Sequence, residues 1–190
     1  FGAIEDVPID EARRQFEVNV FGLARLTQLV LPHMRAQRSG TIINISSIGG
    51  RFTTLLGGWY HASKHAVEAL SDALRMETAP FGIDVVVIEP GLIRTEWSGI
   101  AANHLEETAE GSAYAPQIKA VANSMRSEST NKRQSPPSVI ADTVKKIVTA
   151  RKPRTRYVVG FAAKPLVTLR RLLPDRAFDR LISAGQGARR

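Results

Sequence analysis

The sequence predicts a doubly wound α/β fold, a parallel sheet sandwiched between helices in three layers. Short β-branched runs at 41–45 and 85–88 each follow a long stretch with helical apolar spacing, and polar turns close both runs. The composition agrees: 190 residues, 43% hydrophobic and 23% charged, hold enough apolar material for one soluble core and too much for a disordered chain.

Residues 9–37 place Phe16, Val20, Leu23, Leu26, Leu29, Val30 and Met34 at three- and four-residue steps. This predicts one long amphipathic helix or two joined ones, with Asp10 as the cap. Ser39-Gly40 ends that pattern, and Thr41-Ile42-Ile43-Asn44-Ile45 reads as a buried parallel strand closed by Ser46, Ser47, Gly49 and Gly50. A second helix is predicted over 60–78, where Ala62, Ala66, Ala69, Leu70, Ala73, Leu74 and Met76 recur until Pro80 and Gly82 stop it. Val85-Val86-Val87-Ile88 is the next strand, and Pro90-Gly91 turns the chain at its end. Ligands of such sheets bind outside the carboxyl ends of the strands, where both polar turns lie.

Residues 94–135 lose regular patterning, which predicts a mobile lid with one helix over 115–125. Pro136-Pro137 opens a helix through Ala150, and a final strand follows over 156–160. Over 164–182 apolar residues alternate with arginines as a basic amphipathic helical pair broken at Pro174. The chain thus divides into 1–160, with 94–135 as a substrate lid, and a basic extension over 161–190.

Charge is uneven. Residues 151–190 hold 11 Lys/Arg against 2 Asp/Glu, whereas residues 1–150 hold 15 against 16. The tail has two open readings: a solvated helix face packed on its own domain, or a peripheral contact with anionic lipid. Nucleic acid is disfavoured because no aromatic interleaving accompanies the charge. No stretch approaches the roughly 18 to 20 uncharged apolar residues of a membrane span, and no signal pattern opens the chain, so the expected location is cytoplasmic, with membrane association through the tail as an alternative. Cysteine is absent, which removes disulfides and thiolate chemistry. His61 and His65 are four apart, but no carboxylate or cysteine completes a set, so no metal site is expected. His61 is expected to face the lid or a neighbouring loop.

The chemistry centres on Tyr60 and Lys64, four residues apart and therefore on one helix face. Taken alone, the pair is a common surface arrangement. Ser47 lies thirteen residues before Tyr60 at a strand end, where the first turn of the helix folds back over it. A phenol ordinarily titrates near ~10, and an ammonium within about 4 to 6 Å lowers that value. The Ser47 hydroxyl can hydrogen-bond a substrate oxygen as its charge changes. Together the three suit proton transfer to or from a hydroxyl or carbonyl.

Tyr60-His61-Ala62-Ser63-Lys64 resembles the tyrosine-xxx-lysine signature of the short-chain dehydrogenase/reductase family. Asn44-Ile45-Ser46-Ser47 resembles its strand-end serine motif, Asn19-Val20-Phe21-Gly22 its helix motif with the catalytic asparagine, and Pro90-Gly91-Leu92-Ile93-Arg94-Thr95 its nicotinamide-side turn. The four stand in the family's order and spacing. The resemblance implies a Rossmann-like fold and NAD or NADP as coenzyme. It also implies Tyr60 as acid/base, Ser47 orienting the substrate oxygen, and Lys64 lowering the tyrosine pKa and bonding the nicotinamide ribose. Asn19 would anchor a water leading from Lys64 to solvent, and Pro90, Gly91, Ile93 and Thr95 would line the cofactor.

The family's glycine-rich turn, coenzyme-selecting residue and Asn-Asn-Ala-Gly segment do not occur in this sequence. The expectation is therefore a fragment supplying the second half of the fold and binding cofactor poorly, with coenzyme preference unreadable. Within the family, Tyr157-Val158-Val159-Gly160 and the basic tail resemble hydroxysteroid- and retinol-dehydrogenase-like members, which implies a lipophilic alcohol or ketone substrate. A 3-oxoacyl reductase of acyl thioesters, or a truncated non-catalytic protein, are the alternatives. By the same resemblance, the two long helices form the interface of a homodimer or homotetramer.

Overall fold

The structure, a computed structural model, describes residues 1–188 and, within them, all side chains except those of 129–131. Arg189 and Arg190, the last two charges of the basic extension, lie outside the described residues.

Helix α1 (Ile9–Phe16) runs through a π-helical turn (Glu17–Gly22) into α2 (Leu23–Ala36), the joined pair predicted over 9–37. Asp10 is not the cap: Pro8 precedes the helix with no side-chain capping bond, and Asp10 sits in the first turn paired with Arg13 at 2.9 Å. An acid there still complements the helix dipole. Strand β1 (Gly40–Ile45) leads into a short 3-10 turn (Ile48–Gly50) and then α3 (Gly58–Thr78). Strand β2 (Ile83–Pro90) follows.

Helices α4 (Trp97–Glu107), α5 (Ala115–Arg126) and α6 (Glu128–Arg133) occupy the segment expected to carry a single helix. Helix α4 escaped notice because Ala101, Ala102 and Leu105 are its only buried residues, too narrow a stripe to register as a period. Then come α7 (Ser138–Thr149), strand β3 (Arg156–Val159), α8 (Ala163–Leu172) and α9 (Asp175–Gly185).

The three strands are parallel in the order β1-β2-β3, with Ile42 opposite Val85, Ile45 opposite Ile88, and Pro90 opposite Val159. Among the described residues β1 and β3 are the edges. Alternation along β2 explains why its run is apolar throughout. Ile83 and Val85 face Leu31, Met34, Leu74 and Phe81 beneath α2 and α3, while Val86 and Ile88 face Ile147 and Tyr157 beneath α7. Helices on both faces make the predicted three layers.

A second cluster joins Ala102 and Leu105 of α4 to Ile118, Val121 and Ala122 of α5, together with Ala3 and Leu56. Helices α4 and α5 are therefore packed on each other and on the chain's first residues and the loop before α3. A third packs Val167 of α8 and Phe178 of α9 on Ile48 and Phe52, the two phenyl rings edge to face at 5.2 Å. The apolar stripe of the basic tail is thus largely spent against its own domain, although Leu172 and Leu181 stay exposed. No helix among the described residues is long and apolar enough to cross a membrane.

Charged groups tie the layers together. Buried Glu68 of α3 and Glu89 of β2 both lie 3.1 Å from Arg156 Nε of β3, and Arg156 also donates to Asp72 at 2.7 Å.

Candidate active site

Strand β1 ends by delivering Ser47, in extended backbone, to the cap of the 3-10 turn, where its Oγ accepts the Gly49 N–H at 3.0 Å. That turn stops the hydroxyl at the carboxyl edge of the sheet, and α3 returns across the same edge. Tyr60, in the first turn of α3, lies beside Ser47, whose hydroxyl draws the phenol's pKa down. Lys64, one turn on, points its ammonium back to the Ile45 carbonyl at 3.0 Å and lies 6.0 Å from the centre of the Tyr60 ring. The three groups meet at one strand tip.

Their electrostatics differ from expectation. Burial pushes the Tyr60 phenol above its ordinary value, and the group that draws it down is the Ser47 hydroxyl rather than Lys64. Burial penalises a phenolate, and the Lys64 ammonium has one N–H engaged by the Ile45 carbonyl. Burial also lowers the Lys64 pKa, with Glu68 opposing. The phenol is accordingly a proton donor at neutral pH.

Asn19 lies in the π turn, a wide turn that recurs at functional sites. Its amide donates to Ser63 Oγ at 3.0 Å, and Ser63 in turn donates to the Tyr60 carbonyl at 2.7 Å. The side chain thus reaches α3 between Tyr60 and Lys64 without touching Lys64 itself.

Pro90 and Gly91 lie at the end of β2, on the sheet edge that carries Ser47. The Gly91 N–H binds the Val159 carbonyl at 2.8 Å, and a Cβ there would come within 2.4 Å of the Phe161 carbonyl oxygen, so only glycine fits. The Leu92 carbonyl accepts from the Ser135 N–H and the Arg94 N–H donates to the Ser135 carbonyl, leaving the Ile93 N–H and C=O without a backbone partner among the described residues. The exposed Thr95 hydroxyl accepts the Trp97 N–H at 3.4 Å.

Aromatic rings enclose the phenol. Phe1 and Trp97 each stand 5.5 Å from the Tyr60 ring, and a cavity of about 20 Å³ opens beside it, lined in part by Phe1, Leu56, Gly57, Trp59 and Tyr60. Sequence reasoning missed Phe1 and Trp97 because no spacing links them to Tyr60. It also passed over Ser63, although that residue stands inside the quoted five-residue motif.

A phenol, a hydroxyl and an ammonium at the carboxyl edge of a parallel α/β sheet make a site for proton transfer at oxygen. Residues 1–105 match the family described as short chain dehydrogenase. The chain belongs to that family. It is 39% identical over 181 residues to "Probable short-chain type dehydrogenase/reductase VdlC" of Helicobacter pylori, covering 95% of this chain and 65% of the relative. It is also 39% identical over 188 residues to an NADPH-dependent 3-dehydrocapnine reductase of Ornithobacterium rhinotracheale, covering 95% and 64%. The crystal structure of a short-chain dehydrogenase from Streptomyces avermitilis superposes with a TM-score of 0.66 at 32% identity, over 88% of this chain and 58% of that one. The chain therefore spans about 65% of the length of the curated relatives it matches.

Proposed function

We propose that this chain carries the proton-transfer and nicotinamide-side machinery of an NAD- or NADP-dependent oxidoreductase that interconverts an alcohol and its ketone or aldehyde. The observation that supports it best is the convergence of Ser47, Tyr60 and Lys64 at one strand tip, with Lys64 held there by the Ile45 carbonyl at 3.0 Å and 6.0 Å from the centre of the Tyr60 ring.

The residues present fit a nicotinamide coenzyme. Ile93 has an unspent backbone N–H and C=O on the sheet edge beside the site, Thr95 presents an exposed hydroxyl, and Lys64 retains two N–H donors after binding Ile45. Pro90, Gly91, Ile93 and Thr95 would line the ring side, and Lys64, with Tyr60 and Asn19 nearby, the ribose side. When bound, the coenzyme supplies a hydride donor or acceptor.

The chain's own residues handle the oxygen. Ser47 Oγ, fixed by the Gly49 N–H, orients the substrate oxygen, and Tyr60 gives it a proton in reduction or takes one in oxidation. A phenol held above its ordinary pKa keeps its proton at neutral pH until it is transferred. Phe1, Leu56, Trp59 and Trp97 give the surroundings an apolar character that suits a lipophilic substrate. The exposed Phe21, Leu26, Leu29 and Val30 along the first long helix support association through that face into a homodimer or higher assembly.

The test uses the protein expressed from its complete gene. Titration calorimetry with NADH and NADPH should give binding heat for at least one coenzyme, and Tyr60→Phe should retain less than about a tenth of wild-type turnover. No binding to either coenzyme, or full turnover by the variant, would overturn the reading.

A further inference from the structure

His61 follows Tyr60 directly, and its ring, edge-on to the Tyr60 ring at 5.4 Å, reaches into the loop between β1 and α3. It is 4% exposed. Nδ1 lies 3.0 Å from the Gly49 carbonyl, and because a carbonyl only accepts, Nδ1 carries the proton. Nε2 is then the acceptor for the Thr54 hydroxyl at 2.9 Å. The imidazole thus spans the loop with one donor and one acceptor, both used.

The slot around it is cut to that ring. A Cβ on Gly49 would lie 2.6 Å from Nδ1, and a Cβ on Gly57 would lie 2.6 Å from Nε2. Gly57 also accepts the His61 backbone N–H at 2.9 Å. The same Gly49 whose carbonyl His61 holds gives its N–H to Ser47 Oγ at 3.0 Å. One glycine is therefore gripped from both sides, by the histidine after Tyr60 and by the serine at the strand tip.

We infer that His61 is a positioning residue for the Ser47 hydroxyl, locking the 48–57 loop to the turn of α3 that carries Tyr60 through Gly49 and Thr54. The inference rests on the roles proposed above for Ser47 and Tyr60, and it deepens them. A serine hydroxyl on a loop can swing by rotation of its own torsion and by movement of the loop. The Gly49 N–H limits the first motion, and the histidine clamp limits the second. Displacements of the order of 1 Å at a reacting group can cost about 100-fold in rate.

The experiment measures kcat and KM in the protein expressed from its complete gene, for His61→Phe, His61→Asn, Thr54→Val, and the first of these combined with Ser47→Ala. His61→Phe fills the slot without hydrogen bonds, and kcat should fall at least about 10-fold. Asparagine places an amide where Nδ1 stood, so His61→Asn should recover turnover to within about threefold of wild type. In the Ser47→Ala background, His61→Phe should cost less than about twofold, because the hydroxyl it positions is gone. Loss of folded protein would instead lower turnover by the same factor in both backgrounds, and an undiminished factor overturns the inference. Unchanged kcat in His61→Phe also overturns it. Should His61→Phe not fold, Thr54→Val removes only the Nε2 partner. A fall of a few-fold in kcat, suppressed by Ser47→Ala, supports the clamp, and wild-type kcat refutes it. Tyr60→Phe separates the two levels: if that variant stays active the functional reading fails, whereas an inactive Tyr60→Phe beside an unaffected His61→Phe sinks the clamp alone.

Discussion

Asn19 and Ser63 meet at 3.0 Å, side chain to side chain, across 44 residues of sequence. The contact seats the π turn between α1 and α2 on the turn of α3 that lies between Tyr60 and Lys64. Because Ser63 passes the bond on to the Tyr60 carbonyl at 2.7 Å, the asparagine acts on the backbone of Tyr60.

Ser63→Ala should therefore cost more than a surface serine. Ser63 is fully buried, and its removal strands the Asn19 amide without an acceptor, a loss of about 1 to 3 kcal/mol. Urea denaturation of the two proteins measures it. Pairing the change with Asn19→Leu should recover part of the loss, since no donor is then left stranded.

Gly91→Ala drives a methyl group against backbone rather than against a side chain that can turn aside. With the Phe161 carbonyl oxygen at 2.4 Å and the Ala163 Cβ at 2.9 Å, β2 and the chain leaving β3 must separate, at a cost of about 1 to 3 kcal/mol. A lowered thermal midpoint, with hydrogen exchange accelerated at Val159 and Phe161, is the expected result.

Two carboxylates of the buried charge network should move stability in opposite directions with pH. Burial, helped by repulsion from Glu68, raises the Glu89 pKa, so the folded state holds that proton more tightly than the unfolded chain does. Its contribution is fully present below the ordinary glutamate range near 4.5 and is lost as pH rises through the raised value. Glu89→Gln should compare more favourably with wild type at pH 7 than at pH 4. Asp72 is the reverse case: its hydrogen bond from Arg156 lowers its pKa, and the stability this gives is lost as pH falls below the ordinary value of 3.8. Asp72→Asn should lose ground at pH 7 and draw level in strong acid. Thermal midpoints across pH 3 to 8 test both signs.

Leu105→Ala tests how much the α4–α5 packing contributes to the segment over 97–126. Leu105 is fully buried against α5, and emptying such a site costs about 2 to 5 kcal/mol. Limited proteolysis should cut first within 97–126, while the sheet and its helices resist longer.

Much of this architecture was legible because parallel-sheet proteins advertise themselves. Val85-Val86-Val87-Ile88 must be apolar throughout when both faces are covered, and the register of β1 on β2 follows from two such runs. The strand-tip serine and the Tyr60–Lys64 pair were equally readable, since helical spacing fixes which groups share a face. Other features leave no such trace. The sense of the Tyr60 shift depends on burial by Phe1 and Trp97, which lie 59 residues before and 37 residues after it in sequence and touch it only once folded. Asp10 looked like a cap by residue type, yet the residue at the cap position is Pro8. Helix α4 was missed for want of period, because small residues such as Ala101 and Ala102 pack without forming a wide apolar stripe.

Strand β1 lies at the rim of the sheet, six residues long, with Thr41, Ile42, Ile43, Asn44 and Ile45 in sequence and no charge among them. One side of its peptide ladder is matched by β2, and among the described residues no strand pairs with the other. Uncharged, β-branched rims of this length template further strands, and the half-exposed Ile45 adds an apolar handhold at the tip. Handled by itself, the polypeptide should precipitate by adding strand to strand, and a single lysine in place of Thr41 should keep it dispersed.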